Sequence, residues 1–398
     1  MFITRVMLKH FRSISACDVS LGDLTFLVGQ NGAGKSNFLD ALALVADSMN
    51  TTLEHALRDR GGIEEVRRKS SGHPTHMGIR LEFRFSDDIT GFYAFEIAAT
   101  KATDYAVKEE RCHIRFGPSS KGKTASFQVE RGTVKNSSLD TPPAAVADRL
   151  YLANLSGFAE FRPLVEALSN MGIHNFNPGQ MREWQPPDTG EQLLRDGANI
   201  ASVLSRLERR APGAKAKVED YLRRIVPGIV QVNAERVGNK ETMLFHQEVA
   251  GSKHAWKFYP TSMSEGTLRA LGVLVALFQE EPSAPLIGIE EPESALHPAA
   301  AGILLDALRN GSESRQVIVT SHSADLLDNK DISDKEIRAV VADKGRTSIG
   351  PIDEPSRSTL RDHLFTAGEL LRMNQLELDQ NAAASVASKL NLFSKQLS

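Results

Sequence analysis

The segment Gly29-Gln-Asn-Gly-Ala-Gly-Lys-Ser36 fits the pattern G-x-x-x-x-G-K-[ST] in full. Residues of these types at this spacing hold phosphate. Glycines let the backbone curl until several N–H groups face one anion. A helix that starts there turns its positive end to the same point. Lys35 can reach the β- and γ-phosphates of a nucleoside triphosphate, and the Ser36 hydroxyl can hold Mg2+. Far along the chain, Leu286-Ile-Gly-Ile289 reads as a buried strand closed by Glu290-Glu291. A carboxylate at such a strand end, Glu290, can hold Mg2+ through its water shell, and the next, Glu291, can polarise an attacking water. Residues 279–306 carry Glu280, Glu281, Glu290, Glu291, Glu293 and Asp306 with no Lys or Arg. Such a density needs solvent or a metal close by.

Two weaker pieces accompany these. Met263-Ser-Glu-Gly-Thr267 opens a helix. Its Ser264 and Gly266 can donate to a phosphate, or Ser264 can be a plain N-cap. Val319-Thr-Ser-His-Ser323 ends a strand with His322, a structural histidine or one able to sense a γ-phosphate.

The elements that position these groups follow from periodicity. Leu24–Val28 is a short apolar strand before the glycine loop, and Phe38, Leu42, Val45, Ala46 and Met49 recur at helical spacing after it. Ile79, Leu81, Phe83 and Phe85 alternate with polar residues, which predicts a half-buried strand. Strands at 92–98, 112–116, 125–129 and 150–153 extend it into an antiparallel β lobe. Residues 58–75, with Arg67, Arg68 and Lys69, read as a solvated loop, and residues 132–148 as turns. Apolar stripes in 161–168, 200–207 and 218–225 predict helices, with Pro212-Gly213 between the last two. Strands at 229–237, 243–249 and 256–259, a helix at 264–280, a strand at 286–289, a helix at 298–308 and strands at 317–319 and 338–341 complete the αβ part. Residues from Leu364 onward read as a helical tail. The implied division is 1–60, first part of the nucleotide-binding unit; 61–154, β lobe; 155–228, helical insertion; 229–350, second part of that unit; and 351–398, tail.

Composition narrows the function. Of 398 residues, 47 are Lys or Arg and 50 are Asp or Glu, a net charge of −3, so there is no chain-wide positive field for polyanions. A local one exists: residues 192–224 hold eight Lys/Arg against four Asp/Glu, a balance of +4 that makes 195–225 the candidate DNA contact. The two cysteines, Cys17 and Cys112, exclude a disulfide scaffold and suit a reducing cytoplasm. The longest apolar run, Leu271–Phe278, falls well short of the ~20 residues of a membrane helix. The start MFITRVMLKHFRS lacks the apolar core of a secretory leader.

Taken together, GQNGAGKS, SMSEGT, IGIEEPESALHP and VTSHS resemble the ABC-type ATPase heads of the RecF, SMC and OLD group, and loosely defined bacterial AAA-family ATPases. Lys9-His-Phe-Arg-Ser-Ile14 resembles the opening of those heads. The resemblance implies an α/β fold: a P-loop ABC-ATPase head with an antiparallel β lobe and a short helical insertion. It implies ATP and Mg2+, bound by Gly29, Asn31, Gly32, Ala33, Gly34, Lys35, Ser36, Asn37 and Arg12, with Ser36 and Glu290 toward the metal and Lys35, Glu291 and His322 in catalysis. It also implies a homodimer in which Ser264, Glu265 and Gly266, the signature, contact the partner's nucleotide. The signature departs from the family pattern in lacking a second glycine and a glutamine, and Glu290 stands where aspartate is usual. The glutamine of the Q-loop has two candidates, Gln180 and Gln185. The resulting expectation is a slow cytoplasmic ATPase switch in DNA-related or anti-phage work, with a separate effector. A non-hydrolysing ATP-dependent clamp is the alternative, and an ABC transporter subunit is disfavoured by the 229 positions between Lys35 and Ser264. The stretch after the last αβ strand is too short for a fused nuclease domain and carries an apolar segment, 364–378, as a candidate dock.

Overall fold

A computed structural model of the chain describes residues 1–70, 74–86, 88–100, 104–117, 122–279 and 284–394. Glu280 and Glu281 lie outside the described residues. The strands are β1 (Phe2–Phe11), β2 (Ile14–Ser20), β3 (Leu24–Val28), β4 (His76–Ser86), β5 (Ile89–Ala99), β6 (Tyr105–Arg115), β7 (Thr124–Glu130), β8 (Thr133–Ser137), β9 (Gly172–His174), β10 (Ile229–Val237), β11 (Lys240–Gln247), β12 (Trp256–Phe258), β13 (Leu286–Glu290), β14 (Gln316–Ser321), β15 (Ile337–Asp343) and β16 (Arg346–Pro351).

Among the described residues, thirteen strands form one sheet in the order β8-β7-β6-β5-β4-β1-β2-β16-β15-β3-β14-β13-β9, and β10-β11-β12 form a second. The run β15-β3-β14-β13-β9 is parallel. The run β8-β7-β6-β5-β4-β1-β2 is antiparallel. The antiparallel lobe therefore continues the sheet that carries the glycine loop.

Parallel strands are covered on both faces and read as unbroken apolar runs. In β3 every residue is buried. Leu24, Phe26 and Val28 face one core, with the helices Ile200–Arg210, Pro212–Ile225, Glu265–Phe278 and Ala301–Ser312. Leu27 faces the other, with the helix Lys35–Asn50, the lobe aromatics Phe95 and Phe127, and Phe161. No helix among the described residues is long and apolar enough to cross a membrane.

Several local expectations are corrected. Residues 150–153 form turns and a 3-10 helix, Leu152–Leu155, instead of a strand. The cause is Glu110 on β6, whose carboxylate accepts from the Tyr151 and Leu152 backbone N–H groups and so removes the donors a strand would pair. β8 forms within the stretch read as turns. Pro212 and Gly213 start a helix, where proline loses no hydrogen bond, and do not merely separate two. The 58–75 loop contains a helix at Ile63–Val66. Its cations are not free: Arg68 donates to the Ser13 carbonyl at 2.6 Å and Arg67 to that of Pro74 at 3.1 Å. Residues 155–228 are not helical throughout, since β9 joins the main sheet beside β13. The tail forms the helices Glu354–Arg361, Ala367–Arg372 and Gln380–Lys389. Its apolar residues largely pack on its own chain, with Leu370, Leu378 and Leu392 buried, while Leu364, Phe365 and Met373 stay exposed. Buried Arg80 donates to the carbonyls of Leu392 and Ser394, which straps the tail to the lobe.

Burial pushes the Glu110 carboxyl from 4.5 up to about 7 despite three donors, the third being the Tyr93 hydroxyl. The folded chain then keeps a proton that the unfolded chain releases. This contribution to stability is full below about pH 4.5 and is lost as pH rises through about 7. We expect the melting temperature of the wild type, relative to Glu110→Gln, to fall between about pH 5 and 7 and then level off. A difference independent of pH across that window would contradict this.

Candidate functional site

The parallel strands all end at one edge of the sheet. Gly29 follows β3, Asn175 follows β9, Glu290 and Glu291 close β13, and Ser321 and His322 close β14. Carboxyl ends of parallel strands, with loops leading into helices, are where α/β sheets bind ligands.

The glycine loop is held from behind. Gly32 and Gly34 have φ of 77° and 101°, the left-handed region that glycine occupies without strain. A Cβ on Gly34 would meet Thr347 Oγ1 at 2.2 Å. Thr347 donates to the Ala33 carbonyl at 2.8 Å and bonds the Ser13 hydroxyl at 2.7 Å. Asn37 donates to Ser13 at 2.6 Å, so its side chain braces the loop from the lobe side. Asn31, Gly32 and Ser36 are exposed at the mouth.

Lys35 is 4% exposed and donates to the carbonyls of Gly29 and Gln30 at 2.8 and 3.1 Å. Its ammonium lies 3.9 Å from Glu291 Oε1, and His322 Nδ1 lies 3.2 Å from the same oxygen. The three residues assigned to catalysis thus meet in space. Burial lowers the Lys35 pKa, an effect opposed by Glu291, Glu293 and Glu290. Glu291 takes φ of 45°, unusual for a residue with a side chain, and its N–H donates to the Thr320 carbonyl at 3.0 Å. Backbone strain of this kind costs about 1–3 kcal/mol and gathers at functional sites. Glu293 accepts from the Ser321 hydroxyl at 2.6 Å, and burial raises its pKa.

A hub that spacing did not reveal lies beside this cluster. Asp40, buried on the helix after the loop, faces Arg60 Nε at 2.9 Å, Arg12 Nε at 2.8 Å and Arg195 Nη1 at 3.5 Å. Arg195 also reaches Glu290 Oε1 at 3.1 Å. Arg12 is thereby turned to Asp40. Glu293 stood in the acidic stretch without a role of its own. Asp40, Arg195 and Thr347 carried no motif, Ser13 stood in the Lys9–Ile14 phrase without a role of its own, and only the fold brings them here.

The signature residues sit apart. Ser264 caps the helix Glu265–Phe278 by accepting from Thr267 N–H at 3.1 Å. Ser264 and Glu265 are exposed. Gly266 is buried, and a Cβ there would meet the Ala295 carbonyl at 2.2 Å, so close packing accounts for this glycine. Among the described residues no hydrogen bond or ion pair joins 264–266 to 29–36. Gln180 is exposed, while Gln185 bridges to Glu241 through its backbone. Neither side chain contacts the glycine loop through a hydrogen bond. The basic stretch is largely engaged: Arg206 with Glu191, Lys215 with Glu219, Arg223 with Asp220 and Arg224 with Asp306. Lys217 lies over the Phe278 ring.

Over residues 24–328 the chain matches the model of the family described as "AAA domain, putative AbiEii toxin, Type IV TA system". It is similar to structural maintenance of chromosomes protein 1 of Schizosaccharomyces pombe, 22% identical over 238 residues, which are 52% of this chain and 19% of that protein. It is 49% identical over 43 residues to the DNA replication and repair protein RecF of Sodalis glossinidius, 11% of this chain and 12% of that one. The chain thus spans 19% and 12% of the lengths of these two relatives. A solved SMC head bound to the C-winged helix domain of ScpA matches 90% of this chain and 100% of its own, with a TM-score of 0.56 at 13% identity, which gives the fold.

Asp40→Ala takes from buried Arg60 its buried carboxylate, leaving only the half-exposed Asp47 at 2.7 Å, and should lower stability by about 2–3 kcal/mol in denaturant unfolding. A loss under about 1 kcal/mol would mean that the hub is only a surface network.

Proposed function

This chain belongs to the AAA-domain family whose model it matches and is an ABC-type ATPase head of the RecF and SMC group; on that premise we propose that it binds ATP with Mg2+, hydrolyses it slowly and closes a dimer around it. The observation that carries this reading is the meeting of Lys35, Glu291 and His322 at the mouth of the glycine loop.

Backbone N–H groups of Gly29–Ser36 cradle the phosphates, and Lys35 exchanges loop carbonyls for phosphate oxygens. Ser36 and Glu290 offer hard oxygen donors, a sparse set that suits Mg2+ shared with nucleotide oxygens. No cluster of three or more His, Cys, Asp or Glu able to hold a metal occurs among the described residues. The metal's part, when bound, is to neutralise charge on the β- and γ-oxygens. Glu291 takes a proton from water as the water oxygen bonds to the γ-phosphorus. The bond from that phosphorus to the bridging oxygen breaks, and ADP leaves with the bond's electrons. His322 orients Glu291 and meets the γ-phosphate. Ser264 and Glu265, exposed and with no hydrogen bond or ion pair to the loop of their own chain among the described residues, serve the nucleotide of a second copy.

A separate effector chain reads the closed dimer, in DNA-related or anti-phage work. Two findings support this: the family description names a toxin–antitoxin system, and the SMC head above was solved with a winged-helix domain bound. A DNA contact in 195–225 would rest on Arg209 and Arg210, the cations of that stretch without a side-chain partner among the described residues. The second reading, a clamp with negligible turnover, draws on the arginine beside Glu290, and single-turnover phosphate release separates the two.

Glu291→Gln keeps size and polarity but cannot take a proton. It should bind MgATP as the wild type does, lose about two to four orders of magnitude in hydrolysis and accumulate as a dimer on a sizing column. Wild-type turnover would remove Glu291 as the base. Ser264→Arg should bind nucleotide normally by calorimetry yet remain monomeric with ATP, and an ATP-dependent dimer of this variant would contradict the assigned interface.

A further inference from the structure

Arg195 occupies an unusual position for a side chain that is 46% exposed. Its guanidinium spans two buried carboxylates, with Nη2 at 3.1 Å from Glu290 Oε1 and Nη1 at 3.5 Å from Asp40 Oδ1. The second anchor is already occupied. Arg60 donates to that same Asp40 oxygen at 2.9 Å, and Arg12 lies 2.8 Å from the other. Asp40 already faces two other cations, and Glu290 is the nearer of the two anionic partners of Arg195.

The backbone around Arg195 is fixed. The carbonyls of Arg195 and Asp196 accept from the N–H groups of Asn175 and Asn177 at 2.8 and 2.9 Å. Asn199 ties the same loop together, accepting from Leu194 N–H and donating to Asp188 and the Gln192 carbonyl. These bonds brace the backbone and leave the half-exposed side chain as the less constrained part. Its half-exposed head has an open path to solvent through a cleft lined by Asn175, Asn177, Leu194, Asp196 and Arg269.

We propose that Arg195 is a positioning residue for Glu290: it holds the carboxylate's charge and rotamer, competes with a divalent cation for the same oxygen, and yields when that cation arrives with the nucleotide. The inference rests on the reading that Glu290 serves Mg2+. A guanidinium and a divalent cation on one carboxylate oxygen repel at close range, so the two occupancies exclude each other. The arginine thus sets the Mg2+ concentration at which the site loads.

The test is the Mg2+ dependence of binding of a fluorescent ATP analogue, with its affinity in EDTA as reference. In Arg195→Ala and Arg195→Gln the Mg2+ concentration at half-maximal binding should fall roughly two- to fivefold, the range that a half-exposed ion pair commands. Binding in EDTA should stay within about twofold, since no phosphate contact is assigned to this residue. Arg195→Lys keeps the charge and should restore much of the wild-type midpoint. An unchanged midpoint in Ala and Gln, or a higher one, overturns the competition and leaves Arg195 a brace or an auxiliary ligand. If the wild type takes up no analogue with Mg2+ at all, the ATPase reading itself falls. If the wild type loads and only the shift is missing, this inference alone falls.

Discussion

A buried ammonium facing three carboxylates is the interaction on which the rest of this molecule depends. Lys35 is almost wholly removed from water, with Glu290, Glu291 and Glu293 as its charged surroundings. Charges in such a setting are tolerated only when paired and hydrogen-bonded. The fold meets this demand with neighbours drawn from several elements: two loop carbonyls on Lys35, His322 on Glu291, Ser321 on Glu293 and Arg195 on Glu290. The remaining excess of carboxylate is what suits the cluster to a further cation brought in with phosphate.

Positioning such a cluster requires a stiff frame. The loop and the carboxylates sit at the ends of neighbouring strands, β3, β14 and β13, inside a sheet with a core on each face. The antiparallel half belongs to the same sheet, and its first hairpin supplies Ser13, which braces the loop through Thr347 and Asn37. Arg12 from the same turn feeds the Asp40 hub on the helix that the loop begins. Hydrogen bonds thus join the first hairpin to the glycine loop, and Arg80 ties the tail to the same sheet.

Legibility in the sequence tracked contiguity. The glycine loop, the Ile289–Glu291 strand end and the His322 strand end are short runs whose chemistry is complete within a few residues, and their elements lie where periodicity put them. The Asp40 hub was invisible because its arginines come from positions 12, 60 and 195. The 150–153 segment misled because its donors go to Glu110, some forty positions earlier. β9 was missed because three residues carry no period to read. The basic stretch looked like an open surface until its partners were in place, Asp306 from a distant helix for Arg224 and Glu219 and Asp220 on the same helix for Lys215 and Arg223.

The central claim is that Lys35, Glu290, Glu291 and His322 form one nucleotide-binding and metal-binding centre. It is tested most directly by a crystal grown with a non-hydrolysable ATP analogue and Mn2+, read by anomalous scattering. The account predicts a manganese peak beside Ser36 Oγ and Glu290, with Lys35 Nζ moved from the Gly29 and Gln30 carbonyls onto phosphate oxygens. A peak away from Glu290, or a Lys35 still bonded to those carbonyls with the analogue bound elsewhere, would contradict it.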